Sequence, residues 1–310
     1  MTGHQRPLFE VPPADDIIAL ALAEDLGVDA SLLRIPGGAP DLLDRDVTSA
    51  ALVPADAVFE GRIVLRSEGV LCGLPIAARV WEMLSSAVGL ARGVEVEPLL
   101  LEGTGVSAGI AVARVSGPAR AVLAGERSAL NALMVLSGIA TAAARWQAEA
   151  SDGLAVVDTR KTLPGLRGLS KYAVRIGGAH NHRVGLYDMV LVKDNHIRFA
   201  GSIAEAVAKA RSHAPGLRVQ VEADTAEQAI EAAVAGADML LLDNMDDAAL
   251  RHAVGAVRGV AARRGAQVLI EASGSVAFER LAALREVGVD RVSTSVLTLA
   301  PPLDYGLDEG

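Results

Sequence analysis

The chain has 310 residues, is 51% hydrophobic but only 3% aromatic, and carries a net charge of −9. That length allows one large domain or two modest ones with a sizeable aliphatic core, and a core of Ala, Val, Leu and Ile suits parallel α/β architecture. The acid excess excludes a protein that works by gripping nucleic acid, which needs a basic face, and a single cysteine, Cys72, excludes an internal disulfide or a cysteine-built zinc site.

Residues 1–15 read as a loose arm without the apolar run of a signal peptide. No stretch of about 18 uncharged apolar residues occurs, so no spanning helix, no membrane partner and a cytoplasmic location are expected. Asp15 to Asp25 reads as a helix, followed by a Gly-, Pro- and Asp-rich loop over 27–45. From Phe59 to about Arg120, apolar runs such as GRIVLRSEG, VEVEPLLLEGTG and AVARVSGPA alternate with turn signals, with a helical insert at 75–88. This pattern predicts a small β-containing domain. Cys72 sits among apolar or small neighbours and reads as a buried thiol.

The character changes at Gly125, and Ser128 to Glu149 reads as a long Ala/Leu helix. Six strand-like runs then alternate with helical segments at 202–213, 225–236, 246–264 and 276–287. This is β/α repetition with a parallel sheet. Five of the six runs end in an ionisable residue: Asp158, Lys193, Glu222, Asp243 and Glu271. If the sheet closes into a barrel, these side chains converge at its C-terminal rim, where barrel enzymes place their chemistry.

The densest segment is 158–196, DTRKTLPGLRGLSKYAVRIGGAHNHRVGLYDMVLVKDNH. It holds seven basic residues against three acidic ones, leaving 22 basic and 35 acidic residues for the rest of the chain. A cationic stretch in an anionic protein points to a small polyanionic ligand held in a focused site, and the arginine fork grips carboxylate or phosphate through two hydrogen bonds. Arg167, Lys171 and Arg175 are spaced four apart; Lys171 and Arg175 read as one solvated helix face. Arg160 and Lys161, directly after a strand, and Arg183, in a tight loop, are not explained that way. His180 and His182 lack a third soft ligand nearby, so hydrogen bonding to an anionic substrate is the better role for His182; His196 reads as a capping or packing residue. Glu222 and Asp243 would hold Mg²⁺ or ribose hydroxyls, and Ser273 with Gly274 could present N–H groups to a phosphate.

The 158–196 segment resembles that of the quinolinate phosphoribosyltransferase family, as do AEDLG (23–27), DVTS (46–49), GERSALN (125–131), LSGIAT (136–141), LLLDNM (240–245) and EASG (271–274), in family order. The resemblance implies an N-terminal α/β sandwich domain over 1–125, to which C-terminal residues can return. It also implies an open, seven-stranded α/β barrel-like catalytic domain over 126–298 and a C-terminal segment over 299–310. The implied reaction joins quinolinate to 5-phosphoribosyl 1-diphosphate with loss of carbon dioxide. The subunit would work in at least a homodimer, with Arg127 reaching the neighbouring active site. Arg127, Arg160, His182, Arg183 and Lys193 would bind the two carboxylates. Thr159, Lys161, Glu222 and Asp243 would handle the phosphoribosyl diphosphate and Mg²⁺, with Lys161, Glu222 and Asp243 as the catalytic set. Ser273 and Gly274 would hold the 5′-phosphate, with Ser295 in the last phosphate turn.

The chain departs from the family pattern at Ser275, Ser295, Leu299 and Ala300, at the long 28–44 loop, and at Gln220, where a carboxylate is expected. The carboxylate-binding set is intact and the phosphate end is altered. Rival readings are a relative of the branch associated with molybdate transport, an enzyme acting on another anionic heterocycle, a Schiff-base lyase using Lys193, and a non-catalytic anion binder.

Overall fold

The computed structural model describes residues 10–310. Of the arm expected at 1–15, residues 1–9 lie outside the described part, and 10–14 form no helix or strand. The chain forms two compact units: residues 10–142, 163–177 and 299–310 make one, and 143–162 with 178–298 make the other.

In the first unit, helix α1 (Asp15–Leu26) stops at Gly27, whose left-handed φ of 62° lets its N–H bond back to the Ala23 carbonyl. Strands β1 (Val58–Leu65), β2 (Glu95–Pro98) and β3 (Ile110–Pro118) form an antiparallel sheet with the C-terminal strand Tyr305–Glu309, in the order C-terminal strand, β1, β3, β2. Helix α2 (Leu74–Val88) buries Trp81 and Leu84 completely. Its first turn has an anion at the N–H end. The Glu102 carboxylate accepts the N–H groups of Gly73 and Leu74 at 3.0 Å and the Tyr172 hydroxyl at 2.9 Å. Burial and the Glu102 charge hold the Tyr172 phenol well above its ordinary pKa. Cys72 is a buried free thiol, as its neighbours imply.

Helix α3 (Ala119–Ala150) starts directly after β3, nine residues before the sequence places it. Gly125 is not a boundary but a packing contact: a Cβ there would stand 2.6 Å from Cδ1 of Trp81. Trp81 cannot yield easily, because it is fully buried and its indole N–H donates to the Val122 carbonyl at 3.0 Å. By length and composition α3 could cross a bilayer, yet 56% of its most apolar window is buried within the protein. The C-terminal segment runs back along this helix. Leu303 N–H donates to the Met134 carbonyl at 3.0 Å, and the Tyr305 and Ser137 hydroxyls meet at 2.9 Å. Helix α4 (Arg167–Ile176) corrects one expectation. Arg175 is exposed, but Lys171 is 3% exposed and belongs to the buried side of the helix with Leu169, Tyr172 and Val174.

The second unit is the β/α repeat. Strands β4 (Ala155–Val157), β5 (Val190–Val192), β6 (Val219–Ala223), β7 (Met239–Asp243), β8 (Leu269–Ser273) and β9 (Arg291–Ser293) pair in the order β4-β9-β8-β7-β6-β5. Every pairing is parallel. A seventh rung is reduced to one residue: His180 makes a single parallel bridge to Val157. It lies on the free edge of β4, and among the described residues no ladder joins that edge to β5, so the sheet stays open there. The helices are α5 (Asp194–Ala200), α6 (Ile203–His213), α7 (Ala226–Ala235), α8 (Asp247–Arg264) and α9 (Leu281–Val287). Ser202, Thr225 and Asp246 cap α6, α7 and α8, each accepting the N–H three residues on. Gly236, Gly265 and Gly288 end α7, α8 and α9 in the left-handed region. Of these helices, only α7 and α8 carry both a side-chain cap and a left-handed glycine stop.

Gly125→Ala weighs two opposed effects. Alanine gains about 1 kcal/mol of helix propensity over glycine, while forcing a methyl group into a filled core costs about 1–3 kcal/mol. We expect the melting temperature to fall. A rise would show that the Trp81 contact does not dictate the glycine.

Candidate active site

The C-terminal ends of the second unit's strands surround a cleft of about 860 Å³. All five ionisable residues read from the strand ends line it: Asp158, Lys193, Glu222, Asp243 and Glu271. So do Thr159, Arg160, Lys161, His182, Arg183, Ser273, Gly274 and Ser295. Arg127 belongs to the other unit, where it is exposed on α3.

Alternation along each strand explains the lining. In β6, Gln220 and Glu222 point to one side while Val219, Val221 and Ala223 are buried on the other; in β7, Leu241 and Asp243 line the cleft. The strand ends differ in depth, however. Glu271 lies inside β8, two residues before its end, and is fully buried, as is Asp158 just after β4. These carboxylates form the floor, while Lys193, Glu222 and Asp243 form the rim.

The floor organises the cationic wall. Asp158 accepts the His182 N–H at 2.9 Å and the Asn181 side-chain amide at 2.7 Å, so it holds the loop that carries Arg183. Glu271 accepts the Gln220 amide at 3.0 Å and lies 3.2 Å from His182 Nε2 and 3.8 Å from an Arg291 nitrogen. Burial pushes the Glu271 carboxyl up, but bonding to His182, Ser293 and Gln220 outweighs it and leaves the group below the ordinary glutamate range. Burial, and after it the positive charge of Arg160, lowers the pKa of Arg183, with Asp188 offsetting part of the effect. The two guanidiniums are therefore held close enough to repel. Arg160 Nε is buried without a hydrogen-bond partner. Such a wall is built for an anion.

On the rim, Lys193 Nζ bonds Glu222 at 2.5 Å, tying a cation read as carboxylate-binding to a carboxylate read as metal-binding. His196 caps α5: its Nδ1 accepts the Lys193 N–H at 2.9 Å. Among the described residues no group of three or more His, Cys, Asp and Glu side chains is gathered for a metal. Glu222 and Asp243 remain as two oxygen ligands on one wall, a donor set that fits Mg²⁺ if substrate oxygens and water complete its shell.

Asn244 was not singled out by the sequence, although an Asp-Asn pair after a buried strand is a turn signal. It adopts φ 52°, its amide donates to Asp243 at 2.7 Å, and its Oδ1 accepts the Ser275 N–H at 3.3 Å. It also fixes the need for glycine at 274: a Cβ there would run into the Asn244 side chain, and Gly274 has φ 101°. Ser275 and Ser295 are different. Neither has a positive φ, so the backbone does not require glycine at these departures from the family pattern. Thr298 closes the last turn by donating to the Lys161 carbonyl at 2.7 Å and the Ser295 carbonyl at 3.3 Å.

Comparison with known proteins gives these residues a context. The family model described as quinolinate phosphoribosyl transferase, C-terminal domain, matches residues 139–308, and the corresponding N-terminal model matches 46–137. The chain is 42% identical over 251 residues to the probable nicotinate-nucleotide pyrophosphorylase [carboxylating] of Synechocystis, covering 80% of this chain and 82% of that one. It is 38% identical over 265 residues to the Mycobacterium leprae nicotinate-nucleotide pyrophosphorylase [carboxylating], covering 85% and 90%. The crystal structure of NadC from Streptococcus pyogenes superposes with a TM-score of 0.83 at 33% identity, covering 97% of this chain and 98% of that one. The chain belongs to the quinolinate phosphoribosyltransferase family.

Proposed function

We propose that the protein transfers the phosphoribosyl group of 5-phosphoribosyl 1-diphosphate to quinolinate, releasing pyrophosphate and carbon dioxide and forming nicotinate mononucleotide for NAD biosynthesis. The observation that carries this reading is the convergence of Arg160, Arg183 and Lys193 on one cleft above a floor of buried carboxylates. Two adjacent carboxylates on a pyridine ring neutralise such a wall, whereas a neutral or monoanionic ligand leaves charge uncompensated.

Arg160, Arg183 and Lys193 grip the carboxylates, with His182 in the same wall, and so present the ring nitrogen to the anomeric carbon. The nitrogen lone pair forms the new C–N bond as the bond to pyrophosphate breaks. Lys161 and Thr159, on the turn after β4, meet the diphosphate, and Lys161 offsets its growing charge. Glu222 and Asp243 would hold Mg²⁺ together with diphosphate oxygens; when bound, it supplies positive charge to the leaving group. Ser273, Gly274 and Ser295 receive the 5′-phosphate. Ribosylation makes the ring cationic, so the carboxylate beside the nitrogen can leave as carbon dioxide. The electron pair stays on the ring carbon until solvent protonates it.

Arg127 completes the carboxylate set from a neighbouring subunit in a cytoplasmic homodimer. Its exposure on α3 supports that role. A rival lyase chemistry at Lys193 is disfavoured by the 2.5 Å bond to Glu222, which engages the amine that would have to attack a carbonyl.

Two measurements check this reading. Calorimetric titration of Arg160→Ala with quinolinate is expected to show affinity weakened by about 2–5 kcal/mol, the cost of removing one partner of a buried charge pair; parent-like affinity would take Arg160 out of the site. Mixing inactive Arg127→Ala and Lys161→Ala proteins is expected to restore activity, because a mixed dimer has one intact site. A mixture that stays inactive, although subunits exchange, removes the shared-site assignment.

A further inference from the structure

Behind the cleft wall, Gln220, Glu271 and His182 form a polar chain whose contacts with one another the proposed reaction leaves unexplained. Gln220 and Glu271 are both fully buried. Gln220 donates to one Glu271 oxygen at 3.0 Å, and that oxygen lies 3.2 Å from His182 Nε2, which is shut off from solvent. The other ring nitrogen, Nδ1, accepts the Arg183 N–H at 2.8 Å. A nitrogen that accepts a hydrogen bond carries no proton, so the imidazole proton sits on Nε2, 3.2 Å from the Glu271 oxygen. Asp158 holds the same loop from the other side through the His182 N–H. The two N–H groups that flank His182, its own and that of Arg183, are thus both held.

We propose that Glu271, seated by Gln220, is a positioning residue that locks His182 in the Nε2–H form, so that His182 Nδ1 fixes the Arg183 backbone at the cleft wall. A carboxylate offers only acceptors, so it selects the form of the ring that brings it an N–H. Without that acceptor the two neutral forms compete, and the one protonated on Nδ1 would push the Arg183 N–H away. The inference rests on the reading of Arg183 as a carboxylate ligand for its kinetic consequence, but not for its structural one.

The test uses two substitutions at one position. Glu271→Met keeps an unbranched side chain and removes the acceptor. Glu271→Gln keeps an acceptor for His182, and its new amide can donate to Gln220 Oε1, which has no partner. Histidine ¹⁵N–¹H spectra, with His182 identified by its loss in His182→Gln, are expected to show the Nε2–H pattern in the parent and in Glu271→Gln, and its loss in Glu271→Met. By analogy with the cost of losing residues that orient a ligand-binding side chain, KM for quinolinate should rise about 10- to 100-fold in Glu271→Met, while KM for phosphoribosyl diphosphate stays near the parent value. If Glu271→Met does not fold, Gln220→Leu should show the same split in a weaker form. The proposal is overturned by an unchanged His182 spectrum in Glu271→Met, by both KM values rising together, or by Glu271→Gln failing as Glu271→Met does. If only Gln220→Leu is measurable, no change in its KM for quinolinate overturns it as well. A parent that does not turn over quinolinate would sink the functional reading alone, because the spectra still test the clamp.

Discussion

Like charges kept close together are the constraint around which the second unit is arranged. Burial and the neighbouring charge of Arg160 both disfavour the Arg183 guanidinium, so the fold must hold it in place by other means. It does so from beneath. Two fully buried carboxylates, Asp158 and Glu271, take the N–H groups and the imidazole of the 181–183 loop as partners. Burying a carboxylate is expensive unless its lone pairs are satisfied, and an isolated one would cost several kcal/mol. Here hydrogen bonds to both Asp158 oxygens and to one Glu271 oxygen offset part of that cost and also define where the cationic residues stand, while the second Glu271 oxygen is buried without a partner.

The β/α repeat makes this possible. Parallel strands end on one rim, side chains alternate in direction, and the three central strands each contribute a deeper and a shallower residue: Gln220 and Glu222 from β6, Leu241 and Asp243 from β7, Glu271 and Ser273 from β8. Polar residues two positions apart thus acquire different duties. The deeper ones orient protein groups; the shallower ones meet ligands.

Much of this was legible in the sequence because it is written in local patterns. Strand ends, helix spans at 202–213, 225–236 and 246–264, and the cationic 158–196 segment follow from periodicity and from residue chemistry. What was not legible depends on contacts between distant residues. Gly125 looked like a domain boundary because the sequence changes character there, yet it lies within α3, where a Cβ would meet Trp81. Lys171 looked solvated from its spacing, but spacing cannot report which face of α4 is covered. Glu271 looked like a strand-end residue because the apolar run stops there, whereas the hydrogen-bonded ladder continues to Ser273. The strand that would have followed α4 shrinks to one bridge at His180, too short to leave any pattern. At Ser275 and Ser295, where the chain departs from the family pattern, the sequence does not report backbone angles, and neither residue has the positive φ that would call for glycine.

The most direct test of the central claim is to supply purified protein with phosphoribosyl diphosphate, Mg²⁺ and quinolinate labelled in the carboxylate beside the ring nitrogen. Release of labelled carbon dioxide and formation of nicotinate mononucleotide in equal amounts, lost when the magnesium is chelated, is the result we predict. Quinolinate bound tightly with neither product formed would contradict the account: the cationic wall would stand as a dicarboxylate site, but the protein would not be the transferase proposed.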